Sequence, residues 1–130
     1  MPASELLTLS KEERISSKRL VERLFGGGKS HSMAVFPIRL VYMKYSRESD
    51  EAPEASILIS VPKRCFKSAV KRNRVKRQIR EAYRHHKCLL KLPTDQCAAL
   101  AFIWTDNQLH GSEKVERSVV RLLKRMNEKL

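Results

Sequence analysis

A chain of 130 residues, 42% of them hydrophobic, can bury a modest core, and its length fits a single domain over 1–130. Its 27 Lys and Arg against 14 Asp and Glu leave a net charge of +13, which disfavours cationic partners and favours polyanions. No apolar run approaches the ~20 residues a membrane span needs, and three cysteines without a CxxC pair point to reduced thiols instead of a disulfide framework.

Residues 1–9 are expected to be irregular, and MPASELLTLS is too short and acid-containing for a secretory h-region, so a cytoplasmic setting is expected. Ser10 and Glu13 stand at capping-box spacing. A firmer helix is predicted over 17–25, with Ile15, Leu20, Val21, Leu24 and Phe25 as its apolar set and Gly26-Gly27-Gly28 as its stop. That glycine run follows a helix and lacks the P-loop spacing, so Lys29-Ser30 after it does not make a nucleotide site.

Residues 33–45 read as one long strand, with Phe36, Ile38, Leu40 and Tyr42 on one face and Val35, Pro37, Arg39, Val41 and Met43 on the other. Pro37 cannot donate to a ladder and marks an edge or a bulge. Arg39, framed by apolar residues, is either a cation in an open groove or a snorkelling surface arginine. The polar, acidic stretch 46–54 is expected to close a hairpin onto a second strand, 55–61, where Ile57, Ile59 and Val61 alternate with a wetter face of Ser56, Leu58 and Ser60.

After Pro62-Lys63-Arg64, Ser68 is placed to cap a helix running to about Leu90, short of Pro93. Its stretch 71–84, KRNRVKRQIREAYR, holds seven Lys or Arg and one acid, Glu81. At 3.6 residues per turn Val75, Ile79, Ala82, Tyr83 and His86 share one side. Asn73, Arg77, Arg80, Arg84 and Lys87 take the other, with Lys76 on the shoulder. Like charges at i, i+4 repel, so an unmixed cationic row on a rigid helix calls for an anionic partner, and its fixed geometry suits a polyphosphate backbone. Between residues 63 and 91 twelve Lys or Arg meet one acid, so +11 of the +13 is concentrated there. The apolar stripe is too narrow for a membrane-surface or calmodulin-type helix.

Residues 97–104 are almost wholly apolar and read as a third main strand buried on both faces. Residues 106–111 turn, and Ser112 is expected to cap a last helix. Val115, Val119, Leu122, Leu123 and Met126 form its core stripe, and Arg117, Arg121, Lys124, Arg125 and Lys129 face out. The predicted order α-β-β-α-β-α makes an α+β sandwich, helices over one mixed sheet.

The run Arg72-Asn73-Arg74-x-Lys76-Arg77-x-x-Arg80-Glu81, preceded by Ala69-Val70, resembles the signature of the bacterial ribonuclease P protein component. That family pairs a small basic protein with a large catalytic RNA to remove 5′ leaders from precursor tRNA. The resemblance implies a left-handed β-α-β crossover through the basic helix, against the usual handedness. It also implies RNA contacts from Arg72, Asn73, Arg74, Lys76, Arg77 and Arg80, and from the basic pair Lys63-Arg64. Lys71 and Arg84 extend that RNA-binding set along the same helix. A leader-binding cleft is implied between the first helix and the sheet, at Val21, Phe25, Phe36 and Arg39. Val21 replaces a Phe of many members, Arg39 a Tyr of some, and Lys67-Ser68 stands where some carry Gly-Asn. The partners so implied are the catalytic RNA and precursor tRNA, with a monomeric protein in a 1:1 ribonucleoprotein.

The residues themselves offer no recognisable catalytic constellation. His85, His86 and Cys88 are close in sequence, but His86 falls on the apolar stripe and no second ligand pair has zinc spacing, so no metal site is expected. Glu48, Asp50, Glu51 and Glu54 look like a hydrated loop. No cofactor is expected on the protein; the resemblance places the Mg²⁺ ions of the holoenzyme on its RNA subunit. The alternative is a ribosomal or structured-RNA chaperone protein using the same helix. Neither a helix-turn-helix partner nor a dimerisation heptad appears, so DNA is not an expected partner. Arg72 and Arg74, in the first turn, have two open roles: forking onto phosphates or onto loop carbonyls.

Overall fold

Proline ends a strand ladder wherever its missing N–H is needed, and Pro37 does so here. A computed structural model describes residues 30–46, 55–92 and 95–129. In it the expected single strand is two, β1 (His31–Val35) and β2 (Ile38–Ser46), antiparallel with Val35 opposite Ile38. The cis Phe36–Pro37 peptide forms the turn between them. That turn resets the alternation, so Val35 joins Ile38, Leu40 and Tyr42 against the main core instead of sharing a face with Arg39.

β3 (Ala55–Ser60), α1 (Ala69–His86), β4 (Gln96–Trp104) and α2 (Ser112–Glu128) complete the described elements. The sheet order is β1-β2-β4-β3. β4 runs antiparallel to β2 and parallel to β3, and α1 lies on the connection between the parallel pair. The hairpin expected between residues 33–45 and 55–61 is therefore not formed. β4 occupies the place between them because it is the most apolar strand and gains most from neighbours on both edges. Its residues Cys97, Ala98, Ala99, Leu100, Ala101, Phe102 and Trp104 are all fully buried, each large side chain stabilising by about 1.5–3 kcal/mol. Nor is the second face of β3 wet throughout, since Ser56 is buried beside Ala99.

Both described helices cover one face, α2 against β1 and β2 and α1 toward β3. Val75, Ile79 and Tyr83 of α1 meet Val115, Val119, Leu122, Leu123 and Met126 of α2 over Leu40, Leu100 and Phe102. Val41, Met43, Ala99 and Ala101 make a smaller cluster on the opposite face. This is a mixed α+β fold with one four-stranded sheet and two helices among the described residues. The predicted cap at Ser10, the 17–25 helix, the triple glycine and the acidic loop all lie outside them.

Candidate nucleic-acid interface

α1 starts where its sequence says it should. The Ser68 hydroxyl accepts from the Lys71 backbone N–H at 3.4 Å, a side-chain cap. The helix ends at His86 and tightens into a 3-10 turn, Lys87–Leu89, slightly short of the expected end at Leu90. Its first turn contains no acid and carries Lys71. A cation there opposes the positive end of the helix dipole, a cost of about 0.3–1 kcal/mol. An anion at the helix start would relieve that placement.

The two faces separate as periodicity predicted. Val75, Ile79, Ala82 and Tyr83 are buried, while Asn73, Arg74 and Arg77 are exposed and Lys76 and Arg80 are partly so. His86 departs from the expected stripe. It is partly exposed, and its Nε2 pairs with Glu116 Oε1 at 2.7 Å, joining the two helices.

Upstream, the connector is held in place so that its cations stay outside. The Cys65 N–H donates to the Pro62 carbonyl at 3.0 Å, and the side chains of Cys65 and Phe66 are buried. Lys63, Arg64 and Lys67 are exposed beside the start of α1. Arg72 resolves its two open roles toward the loop: its Nη1 donates to the carbonyls of Phe66 (2.8 Å) and Lys67 (2.9 Å). Arg84 is neutralised within the helix by Glu81 at 2.7 Å. The hydrogen bond from Arg84 holds the Glu81 carboxyl below its ordinary range, burial opposing the shift. Among the described residues, Lys63, Arg64, Lys71, Arg74, Lys76, Arg77 and Arg80 have no carboxylate at salt-bridge distance.

The cleft residues are placed differently. Arg39 is exposed on the sheet face away from the two described helices and donates from Nε to Ser32 Oγ at 2.9 Å. Phe36, at the hairpin turn and 60% exposed, meets the His110 ring edge-on at 5.8 Å and lies under Lys114 Nζ at 5.2 Å. The described structure does not bring Phe36 and Arg39 together, and Val21 and Phe25 lie outside the described residues.

Sequence reasoning missed the Asp106–His110 pair, half-hidden at 2.6 Å, whose only signal was its i, i+4 spacing. It also missed Gln78, whose Nε2 donates to the His110 carbonyl at 3.0 Å and to Ser112 Oγ at 3.2 Å. Ser112 is thereby drawn away from the expected capping role; Gly111 occupies the cap of α2. These contacts position elements, and among the described residues no three His, Cys, Asp or Glu side chains converge as a metal site would require.

The helix thus has one face in the core and, on the other, a row of cations continued by its connector, of which only Arg84 meets a carboxylate among the described residues. The family model for ribonuclease P matches residues 9–127. The chain belongs to the ribonuclease P protein family. The Porphyromonas gingivalis ribonuclease P protein component is 41% identical over 121 residues, spanning 91% of this chain and 85% of that one. The fold of the family is also the fold found here. The ribonuclease P protein from Thermotoga maritima superposes with TM-score 0.67 at 19% identity, covering 87% of this chain and 96% of that one. A Staphylococcus aureus ribonuclease P protein, a mutant described as defective in mRNA degradation, gives 0.69 at 22%, covering 97% and 98%. As a ribonuclease P protein component, the chain is part of a tRNA-processing endoribonuclease. No helix among the described residues is long and apolar enough to cross a membrane.

Proposed function

We propose that this chain binds the catalytic RNA of ribonuclease P through α1 and its connector, and the 5′ leader of precursor tRNA through the far face of the sheet. The observation that carries the reading is the row of uncompensated cations on α1, begun in the first turn against the helix dipole. Lys71, Arg74, Lys76, Arg77 and Arg80 serve as phosphate ligands, joined by Lys63 and Arg64, with Asn73 as a neutral hydrogen-bonding neighbour. Arg72 shapes the connector and leaves its remaining N–H groups for phosphate, and Arg84 contributes less because Glu81 already engages it. Each phosphate so neutralised releases counterions, which gives the association its driving force and its salt dependence.

On the leader side, Arg39 offers charge where an aromatic would offer stacking, with Val21 and Phe25 as the other members of the proposed cleft; Phe36, held against His110 and Lys114, stands apart from it. Three of the described carboxylates serve to hold elements together, Glu81 with Arg84, Asp106 with His110 and Glu116 with His86. The reading assigns Mg²⁺, which polarises a phosphoryl oxygen and activates water, to the RNA subunit. The setting proposed is a cytoplasmic 1:1 ribonucleoprotein.

The test is leader dependence. With the reconstituted RNA subunit, the protein should tighten binding of leader-bearing precursor tRNA and leave mature tRNA unaffected. Equal enhancement of both would favour the structured-RNA chaperone reading.

A further inference from the structure

The charge of the last forty residues is hidden by its near balance: residues 92–130 hold six Lys or Arg and five Asp or Glu. Folding engages two of these acids with histidines, while Glu113 and Glu116 line one cavity with Arg117, Arg121 and Lys124. Asp106 is engaged by His110 at 2.6 Å, Glu116 by His86 at 2.7 Å, and Glu113 lies in the first turn of α2. From 117 to 127 four cations remain with no acid. Arg117, Arg121, Lys124 and Arg125 are all exposed, and among the described residues none has a carboxylate at salt-bridge distance. Val115, Ser118, Val119, Leu122, Leu123 and Met126 are buried, which directs Arg117, Arg121 and Lys124 outward, with Arg125 on the flank.

We infer that this outward face of α2 is a second RNA-binding surface, holding the phosphate backbone of a segment other than the one gripped by α1. The inference rests on the reading of α1 as an RNA-binding helix. The dipole of α2 favours a cation in its last turn, which accounts for Arg125 but not for Arg117 and Arg121 in mid-helix. Arg117 repels Arg121, and Arg121 repels Arg125, each at i, i+4, and the acids one turn away, Glu113 and Glu128, flank the row at its two ends without entering it. The row runs about 12 Å at 1.5 Å per residue, long enough to follow a phosphate backbone.

An acidic protein would meet the same charges, but a stable protein interface also needs apolar anchors. On the outward side of α2 only Val120, half-buried, is apolar. A rigid row of cations is sufficient for a phosphate backbone. Two segments are inferred because the groove between the helices, lined by Arg77, Gln78, Glu81, His85 and Glu116, sets two carboxylates between the rows. A single strand touching both rows would have to pass those carboxylates, which Arg84 and His86 only partly offset.

The test compares Arg117→Gln/Arg121→Gln/Lys124→Gln with Arg77→Ala/Arg80→Ala in titrations of the ribonuclease P RNA over a salt series. The α2 variant should melt like the parent, while its log K against log salt flattens by roughly 2 to 3 units. If it melts early, Arg117→Lys/Arg121→Lys, which keeps the charge, should restore the parental slope; failure to restore it overturns the proposal. An unchanged slope for the α2 variant beside a reduced one for the α1 variant overturns this proposal and leaves the function of α1 intact. If neither variant changes RNA binding, both readings fall. An unchanged RNA slope with loss of poly-glutamate binding overturns it in favour of an acidic protein. Photo-crosslinkers placed at Arg121→Cys and Lys76→Cys, each in a Cys88→Ser background, should mark different RNA segments; a common segment overturns the two-segment arrangement.

Discussion

The Arg72 guanidinium is fastened to the backbone just ahead of its own helix, Nη1 donating to the Phe66 carbonyl oxygen at 2.8 Å. The same nitrogen reaches the Lys67 carbonyl at 2.9 Å. Arg72→Ala should therefore cost stability, by about 1.5–3 kcal/mol for a charged donor lost from a part-buried acceptor. Arg74→Ala, on an exposed side chain, should leave the melt within about 0.5 kcal/mol of the parent while weakening RNA binding. Paired thermal melts of the two variants check this; similar melts would mean that the Arg72 fork stabilises nothing.

The faces of α1 should separate in the same manner. Arg77→Ala with Arg80→Ala is expected to spare folding and to reduce the salt slope of RNA binding by roughly 1.5 to 2 units. Ile79 is fully buried, so Ile79→Ala should cost about 2–5 kcal/mol and reduce binding only through the unfolded fraction. Melts and titrations of both variants decide it, and an arginine pair that unfolds the protein while Ile79→Ala does not would reverse the facing of the helix.

RNA-free protein should leave precursor tRNA uncut. Glu81, Glu116 and Asp106 are engaged by Arg84, His86 and His110 in positions that hold elements together, and the proposed function leaves the chemistry to the RNA subunit. Site-specific 5′ cleavage by protein stripped of RNA would contradict this; nuclease digestion of the preparation before the assay is the necessary control.

Acid should undo one fastening selectively. The hydrogen bond from His110 is the first cause holding the Asp106 carboxyl below its ordinary range. A carboxyl whose folded pKa is depressed adds stability that is present above its unfolded value, about 3.9. That stability is lost as pH falls through the folded value. Asp106→Asn should thus melt below the parent above about pH 4, with the difference closing in stronger acid. A difference independent of pH would show that packing, not the carboxylate, fastens this turn.

The thiols should sort by burial. Cys65 and Cys97 are buried and Cys88 is exposed, so a thiol reagent should label one site rapidly in the native protein and all three after denaturation. Cys88→Ser should abolish the rapid phase without moving the melt. A rapid phase that survives that substitution would place a second thiol at the surface.

The helices were the most legible part of the chain. Ser68, the spacing of Val75, Ile79, Ala82 and Tyr83, and the stripe of α2 each fix a local property, and local periodicity carries that information. The strand neighbours were not legible. Alternation tells which residues share a face, but nothing in residues 55–60 says that their partner is 98–103 and not the strand just before them. In the sequence Pro37 marks an edge or a bulge, and only the register shows that it turns the chain through a hairpin. The candidate site divides similarly. The cationic row follows from spacing, whereas the diversion of Arg72 to the Phe66 carbonyl and the engagement of Glu116 by His86 depend on contacts that exist only once the chain is folded.

The central place of β4 sets an order of events during synthesis. Ile38 ends up beside Trp104, and Ile59 beside Phe102. A nascent chain therefore carries β2, β3 and the whole cationic helix out of the ribosome before the strand that joins them has been made. Until residues 96–104 arrive, two strand edges have no partner, and the most positively charged segment is tethered to an unfinished sheet. Docking of one strand then closes both edges together, so the cationic helix acquires its rigid mounting in a single late step.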